Sequence, residues 1–389
     1  MAKTRQVALL LTAGWANSER FRRGVIDYVR RKARWTITTM PETFGPSMSS
    51  LGGWDGDGVI ANIRRRRDAH AAHTLGIPVV GMSGAPQEGL LPRVLTDNEA
   101  IGRLGAEHLL DCGFRRVAFY GRRGAYDISL RRKGFVDCCG AAGAACRTFW
   151  APGHFGRWAD WSRAGAKLDG FLAGLQPPVG IMACDDLRAR MVLDSCRRVG
   201  YRVPDDVAIL GVDNNELICE FADPPLSSVA RADRQMGYES AALLDRLMAG
   251  KPAPKGDILL PPPGLVRRRS TDVLAIEHPH VAAAVTLIRQ RIGEPFGVEA
   301  VMRQVSVSRR WLEQKFTELV GCTIHQYICR TRVEHAQDLL AAPGKKMLLK
   351  DIARTCGFPS AERFRLVFQR FTGQSPAQYR SAQQRGKAR

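Results

Sequence analysis

The stretch KDIARTCGFPSAERFRLVFQRFTG (350–373) reads as a short helix, a tight turn and a longer helix. Ile352, Ala353 and Cys356 recur at helical spacing, Gly357 supplies the turn, and Ser360 stands where a side-chain oxygen caps the next helix. The buried face of that helix is expected to be Phe364, Val367, Phe368 and Phe371. VEAVMRQVSVSRRWLEQKFTELVG (298–321) repeats the plan. Val298, Val301 and Met302 form its first helix, Val305-Ser306-Val307 breaks it, Ser308 caps the second, and Leu312, Phe316 and Leu319 are the expected apolar face. A short helix, a turn and a longer helix form the arrangement that sets a recognition helix in a major groove. Between the two, TIHQYICRTRVEHAQDLLAA (323–342) is one amphipathic helix with Ile324, Tyr327, Ile328, Ala336, Leu339 and Leu340 as apolar contacts, expected to fix their spacing. One such unit is also the pattern of an ordinary helical hairpin. Two in tandem, joined this way, are far more specific.

The order of these motifs resembles the AraC/XylS family of transcription regulators. GFPSAERFRLVFQRFTGQSPAQYR (357–380) follows that family's signature nearly residue for residue, including the closing Ser-Pro-x-x-Tyr-Arg. The resemblance implies an all-α, tandem helix-turn-helix domain over residues 286–389 with duplex DNA at promoter operator sites as its partner. The exposed positions beside the apolar faces are Arg309, Arg310, Glu313 and Gln314 in the first unit and Ala361, Glu362, Arg363 and Arg365 in the second. Family correspondence favours Arg310, Glu313 and Gln314, and Glu362, Arg363 and Arg365, as the groove-facing set. Arg binds guanine edges in a bidentate way and Gln binds adenine. Arg330, Arg332, Lys350, Arg370 and Arg380 are candidates for phosphate contacts. For any one of these side chains the competing role is a solvated helix face.

Composition agrees. The chain of 389 residues exceeds one ordinary core, so two or more domains are expected. Its net charge of +20 points to a polyanionic partner. Residues 281–389 hold 19 Lys and Arg against 8 Asp and Glu, which is more than half of that excess in little over a quarter of the chain. A general bias toward arginine accounts for runs such as Arg64–Arg67 and Arg267–Arg269 equally well. The 10 cysteines are scattered, with no Cys-x-x-Cys pair, as expected for reduced thiols. The apolar run near the N-terminus is too short for a signal peptide and no segment approaches a membrane span, so a cytoplasmic protein is expected.

Upstream, QVALLLT (6–12) is a continuous apolar run, as in a strand buried on both faces. A loop (13–18) and a helix (19–31) follow, then strands at 35–39, 56–61 and 77–82. Val94-Leu95-Thr96-Asp97 leads into a helix (99–112), and residues 116–120 form a further strand. A second round runs helix 129–140, strand 147–150, helix 158–174, strand 179–183, helix 186–200, strand 207–212 and helix 232–249, with short strands at 257–260 and 265–266. Alternation at this spacing implies doubly wound parallel α/β sheets in two successive halves, with a ligand cleft at the strand ends.

TDNEAIGRLGAEHLL (96–110), RRKGF (131–135), ACDDLRAR (183–190) and VPDDVAILGVDNNE (203–216) resemble the LacI/GalR-type sugar-sensing domain, itself akin to periplasmic binding proteins. That family begins with a helix-turn-helix of its own, and the sequence shows none before the first strand. The resemblance implies a bilobed, periplasmic-binding-protein-like sensor at 1–272, and residues 273–285 are expected to be a linker. His278-Pro279-His280 lies in that seam. Pro279 disfavours helix at His278, and a helix is expected at 281–290.

Sugars are held by carboxylates and by Arg or Asn bridging adjacent hydroxyls, with a ring face stacked on an aromatic. Asp213 directly follows an apolar strand, and Asn214 adds donor and acceptor. Asp185, Asp186, Arg188 and Arg190 follow strand 179–183, and Asp97 ends another. For such Asp residues the competing role is a helix cap. Arg131 sits where the sensor family places a ligand-binding arginine, and a solvated basic face with Arg132 and Lys133 is its alternative. Trp15, Asn17 and Arg20 in the first strand–helix loop are candidates for the stacking face and polar contacts, although Trp15 fits a core equally well. The expected ligand set is Trp15, Asn17, Arg20, Asp97, Arg131, Asp186, Arg188, Asp213 and Asn214.

No nucleophile elbow, phosphate loop or metal-spaced His/Cys set is present, and His70 and His73 stand among arginines and alanines. The expectation is a sugar-responsive, DNA-binding transcription regulator with no cofactor and no metal. The resemblance implies a monosaccharide effector, a pentose such as xylose, together with activation, a homodimer and contact with RNA polymerase. The alternative is a DNA-binding domain fused to an α/β enzyme-like domain answering a non-sugar ligand.

Overall fold

The computed structural model describes residues 4–11, 16–39, 48–63, 66–82, 91–151, 158–273, 276, 278–341 and 347–387. The chain folds as two compact units, Met1–Val273 and Leu274–Arg389.

The first unit opens with β1 (Arg5–Leu10), α1 (Ala16–Lys32), β2 (Trp35–Thr39), β3 (Gly58–Ala61), α2 (Arg66–His73) and β4 (Val79–Gly81). These strands form a parallel sheet in the order β2-β1-β3-β4. β5 (Val94–Thr96) then leads into α3 (Asn98–Asp111), β6 (Arg116–Arg122), α4 (Tyr126–Ala141), β7 (Ala145–Ala151), α5 (Trp158–Ala173) and β8 (Val179–Ala183). α6 (Asp186–Val199), β9 (Val207–Val212), α7 (Glu216–Glu220) and β10 (Ser227–Ala230) follow. Last come α8 (Asp233–Met248), β11 (Ile258–Leu260) and β12 (Gly264–Val266). The second sheet runs β12-β10-β9-β8-β6-β7, parallel except where β12 opposes β10. β5 and β11 pair separately.

The lobes are therefore not two successive halves of the sequence. α3 packs on α4 and against β8, β10 and β12, whereas α8 returns to pack on α1 and β3. The chain passes between lobes after β5, after β10 and between β11 and β12. Val7, Leu9, Phe21, Val25, Met236 and Leu244 share the first core, and Tyr120, Leu168, Ile181, Val192 and Ile209 share the second. Strand β10 has no apolar run to announce it. Ser227 and Ser228 are fully buried there because their hydroxyls find partners, Ser227 Oγ donating to the Arg268 carbonyl at 2.9 Å and Ser228 Oγ to Asp186 at 2.6 Å. In the second lobe α3 and α4 cross at glycines: a Cβ on Gly102 would lie 1.9 Å from the Arg131 carbonyl oxygen, and one on Gly134 2.0 Å from that of Glu99.

Among the described residues the elements of the second unit are all helices: α9 (Pro279–Gln290), α10 (Val298–Gln304), α11 (Arg309–Val320), α12 (Ile324–Ala341), α13 (Leu349–Thr355), α14 (Ala361–Thr372) and α15 (Pro376–Lys387). Ser308 Oγ accepts from Trp311 N at 3.3 Å and Ser360 Oγ from Arg363 N at 3.1 Å, so both caps form as the sequence implies. Gly321 and Gly373 end the same helices in the left-handed conformation. Two features differ from expectation. Leu319 and Phe371 are 48% and 42% exposed; on α11 the inward row is Leu312 and Phe316, with Val320 beside it, and α14 closes on Phe364, Val367 and Phe368. The segment 273–285 is not all linker. His278 takes the N-cap position, Pro279 opens α9, and Val281, Ala284 and Val285 are buried in the core of the first helix-turn-helix. The Trp311 ring lies 4.8 Å from the His278 ring and 6.0 Å from that of His280, which fastens the start of α9 to α11.

Candidate functional site

β9 ends on Asp213 and Asn214, two non-glycine residues with positive φ, +105° and +45°. Such backbone is uncommon and persists where surrounding contacts over-determine it. Here Arg20, from α1 in the other lobe, supplies them. Its Nη2 donates to the Asp213 carbonyl oxygen at 2.6 Å and to Asn17 Oδ1 at 2.7 Å. Nη1 reaches the Asn214 carbonyl oxygen at 3.3 Å, and Nε and Nη2 bind Asp233 Oδ2 at 3.2 and 2.9 Å. From the end of β10, Arg231 meets Asp213 Oδ1 at 3.4 Å and Asp233 Oδ1 at 3.0 Å. Three aspartate and arginine positions from the ends of β9 and β10 thus gather around one arginine of the opposite lobe.

Arg131, 3% exposed on α4, turns its guanidinium toward the end of β8. It donates to the Cys184 carbonyl oxygen and, through Nη2, to Asn98 Oδ1 at 2.8 Å. Burial raises the pKa of Asp213, while Arg231 and Arg131 oppose that rise. For Arg231 burial disfavours the charge, but Asp233, Asp213 and Asp127 outweigh it and hold the guanidinium above its ordinary range. The Nε–H groups of Arg122, Arg131 and Arg231 are buried without a hydrogen-bond partner. Arg131 and Arg231 both act on Asp213, and arginine donors beside a carboxylate are the groups that adjacent hydroxyls of a polyol bind.

Three expected ligand residues are engaged elsewhere, and a fourth is not described. Trp15 lies outside the described residues. Asp97 Oδ1 accepts from Ala100 N at 2.8 Å, the cap of α3. Asp186 is 1% exposed and both its oxygens are engaged, Oδ1 by Ser228 Oγ and Oδ2 by Asn215 N at 2.7 Å. Burial, then the nearby Asp213, raises its pKa to about 7. It is a clamp between α6, β10 and the β9–α7 turn. Arg188 is buried and donates from Nη1 to Asp185 Oδ2 at 2.8 Å, while Asp185 caps α6. Arg190 turns away to Asp194 and the Phe221 carbonyl. The sequence reading missed Arg231, Asp233 and Asn98. The first two directly follow β10, the strand whose serines hid it.

On the second unit Arg310, Gln314, Glu362, Arg363 and Arg365 are exposed along α11 and α14. Arg309 is also exposed but engaged: Nε binds Glu313 Oε1 at 2.9 Å and Nη1 binds Glu299 of α10. Arg309 and Glu313 therefore brace the first helix-turn-helix, which leaves Arg310 and Gln314 as its outward polar pair. Of the phosphate candidates, Arg332 is 7% exposed and enclosed by Phe296 and Phe358, which removes it from any DNA surface. Lys350 and Arg370 are exposed, and Arg330 lies over the Tyr327 ring at 5.1 Å. Among the described residues no group of three or more His, Cys, Asp or Glu is placed to hold a metal ion, and no helix is long and apolar enough to cross a membrane.

Residues 106–271 match a periplasmic binding protein-like domain and residues 301–382 a helix-turn-helix domain. The xylose operon regulatory protein of Escherichia coli is 33% identical over 386 residues, 97% of each chain. The chain belongs to the xylose operon regulator family. The family member of Haemophilus influenzae is 29% identical over 393 residues, covering 96% of this chain and 98% of its own. A solved xylose-binding transcription activator superposes with a TM-score of 0.71 at 31% identity, covering 98% of this chain and 99% of that one. As in the family, a sugar-regulator sensor precedes an AraC-type DNA-binding region, and the protein is a DNA-binding transcription regulator.

Proposed function

We propose that this chain activates transcription of pentose-utilisation genes in response to xylose, which binds between the lobes of residues 1–272. The observation that carries the reading is the convergence of Arg231, Asp213 and Asp233 with Arg20 of the opposite lobe, with the charge of Arg131 acting on Asp213. Arg20, Arg131, Arg231, Asp213 and Asn214 hold the sugar hydroxyls, and Asn17 orients Arg20. The names of the full-length relatives support xylose as effector and activation as outcome. Because Arg20 ties the two lobes, a sugar that competes for or adds to its contacts changes lobe closure. It shifts the regulator only by its differential affinity for the two states.

The helical unit from α9 to α15 reads DNA through Arg310 and Gln314 of α11 and Glu362, Arg363 and Arg365 of α14. α11 and α14 enter successive major grooves on one side of the duplex. The regulator works in the cytoplasm as a homodimer on paired operator half-sites and contacts RNA polymerase. The test is a thermal-shift titration of the full-length chain with xylose, arabinose, ribose and glucose. Xylose is expected to raise the melting temperature, since a ligand that binds only the folded state stabilises it. No rise with any pentose overturns the effector assignment.

A further inference from the structure

α12 carries parts of two cores. Ile324, Tyr327 and Ile328 belong to the first helix-turn-helix, and Val333, Ala336 and Leu340 to the second. Arg332 stands at the seam between these sets and is 7% exposed. Its Nη2 donates to the carbonyl oxygens of Glu294 and Phe296, at 2.8 and 2.9 Å, in the turn that joins α9 to α10. Its guanidinium carbon lies 5.1 Å from the Phe296 ring centroid and 5.9 Å from that of Phe358, in the turn between α13 and α14. One side chain is thus sandwiched between a turn of the first helix-turn-helix and a turn of the second.

The turns also meet directly. Gly357 has φ +69°, and a Cβ there would lie 2.4 Å from the Glu294 carbonyl oxygen and 2.8 Å from that of Ile292. A planar guanidinium suits the gap above this contact. It donates to two carbonyls in its own plane and offers its faces to aromatic rings. An apolar side chain cannot donate, and an ammonium has no planar faces to stack between two rings. Without this clamp the two helix-turn-helix motifs are joined through α12 and the contact of the two turns, and the angle between them depends chiefly on the straightness of one helix.

We propose that Arg332 is the positioning residue that fixes the angle between recognition helices α11 and α14, and with it the base-pair spacing accepted between their two DNA contacts. The proposal rests on the reading that both helices enter the duplex. The full-length chain is used to select a duplex from a random-sequence pool, and one to three base pairs are then inserted between the two boxes it protects. Each insertion turns the second box by about 34° around the axis. The wild-type chain is expected to lose roughly tenfold or more in affinity at the first insertion, as for a misplaced base contact. Arg332→Met keeps the aliphatic volume and donates nothing. It should bind the parent duplex more weakly yet lose no more than about threefold on insertion. If Arg332→Met retains the wild-type spacing preference, the proposal is overturned. Should that variant fail to fold, Phe358→Leu decides: it keeps an apolar side chain in the second core but removes the ring beneath the guanidinium. A flattened spacing preference in Phe358→Leu supports the proposal, and an unchanged one overturns it. A wild-type chain indifferent to spacing overturns the two-groove reading and the proposal with it.

Discussion

Arg20 of α1 donates from Nη2 to the main-chain oxygen of Asp213 at the end of β9, 2.6 Å away, and joins the two lobes of the sensor. The same guanidinium binds the carboxylate of Asp233, which is 1% exposed. Arg20→Ala therefore leaves Asp233 buried with Arg231 as its cation and frees two carbonyl oxygens. Loss of one partner of a buried charged hydrogen bond costs on the order of 1–3 kcal/mol. In a unit of this size that is expected to lower the melting temperature by several degrees. Differential scanning calorimetry of the apo protein checks it. An unchanged midpoint would mean that Asp233 is already satisfied without Arg20.

Asp213→Asn should remove the xylose-induced thermal shift while the apo protein keeps its fold. Asn tolerates the left-handed backbone better than most residues and preserves the volume at the strand end. The substitution removes the charge that Arg231 and Arg131 face, and with it a charge-assisted bond to a sugar hydroxyl of about 1.5–3 kcal/mol. Calorimetric titration with xylose is the measurement. Wild-type affinity in the variant would place the sugar away from β9.

The tandem helix-turn-helix was legible because its physics is local. Ser308 and Ser360 as caps, Gly357 as a turn and a 3.6-residue apolar row are each set by residues close in sequence. The parallel sheets were legible for the same reason, since apolar runs such as 179–183 and 207–212 mark fully buried strands. What stayed hidden depends on distant chain. Asp185 and Asp186 are identical neighbours in sequence; Asp185 caps α6, while Asp186 is buried beside Gly211 of β9 and receives Ser228. Arg332 has the charge and the place of a phosphate contact, and only the packing of Phe296 and Phe358 takes it out of solvent. Arg231 and Asp233 follow a strand whose serines look like loop until Arg268 and Asp186 are brought to them.

Asp186 makes the sensor's stability depend on pH. Its pKa in the fold is raised to about 7, against an ordinary 3.8. A raised folded-state pKa means that the native protein binds the proton more tightly than the unfolded chain. The stabilisation is then complete below the unfolded pKa and is lost as pH rises through about 7. In Asp186→Asn the amide can accept from Asn215 N and donate to Ser228 Oγ without titrating. The melting temperature of the wild type relative to this variant should fall as pH rises from about 4 to about 7 and change little beyond that. A difference that grows with pH over this window would contradict the assignment.

Arg309 and Arg310 are neighbours at the start of α11 with opposite expected roles. Arg309 spends its donors on Glu313 and on Glu299 of α10, and Arg310 stands exposed beside Gln314. Arg310→Ala should relax base preference at one position of the selected operator by about 1–3 kcal/mol, the worth of a bidentate guanine contact. Arg309→Ala should leave the preference profile intact. Its ion pairs are exposed, so their loss changes stability by no more than about 1 kcal/mol. A position-by-position mutational scan of the operator, read by binding at constant salt, separates the two. Salt must be held fixed because a phosphate contact weakens binding to all sequences alike and reduces the salt slope by about one. A uniform loss for Arg310→Ala with a shallower salt slope would make it a backbone contact. A position-specific loss for Arg309→Ala would mean that DNA breaks its pairs with Glu299 and Glu313, and that the groove-facing surface of α11 begins one residue earlier.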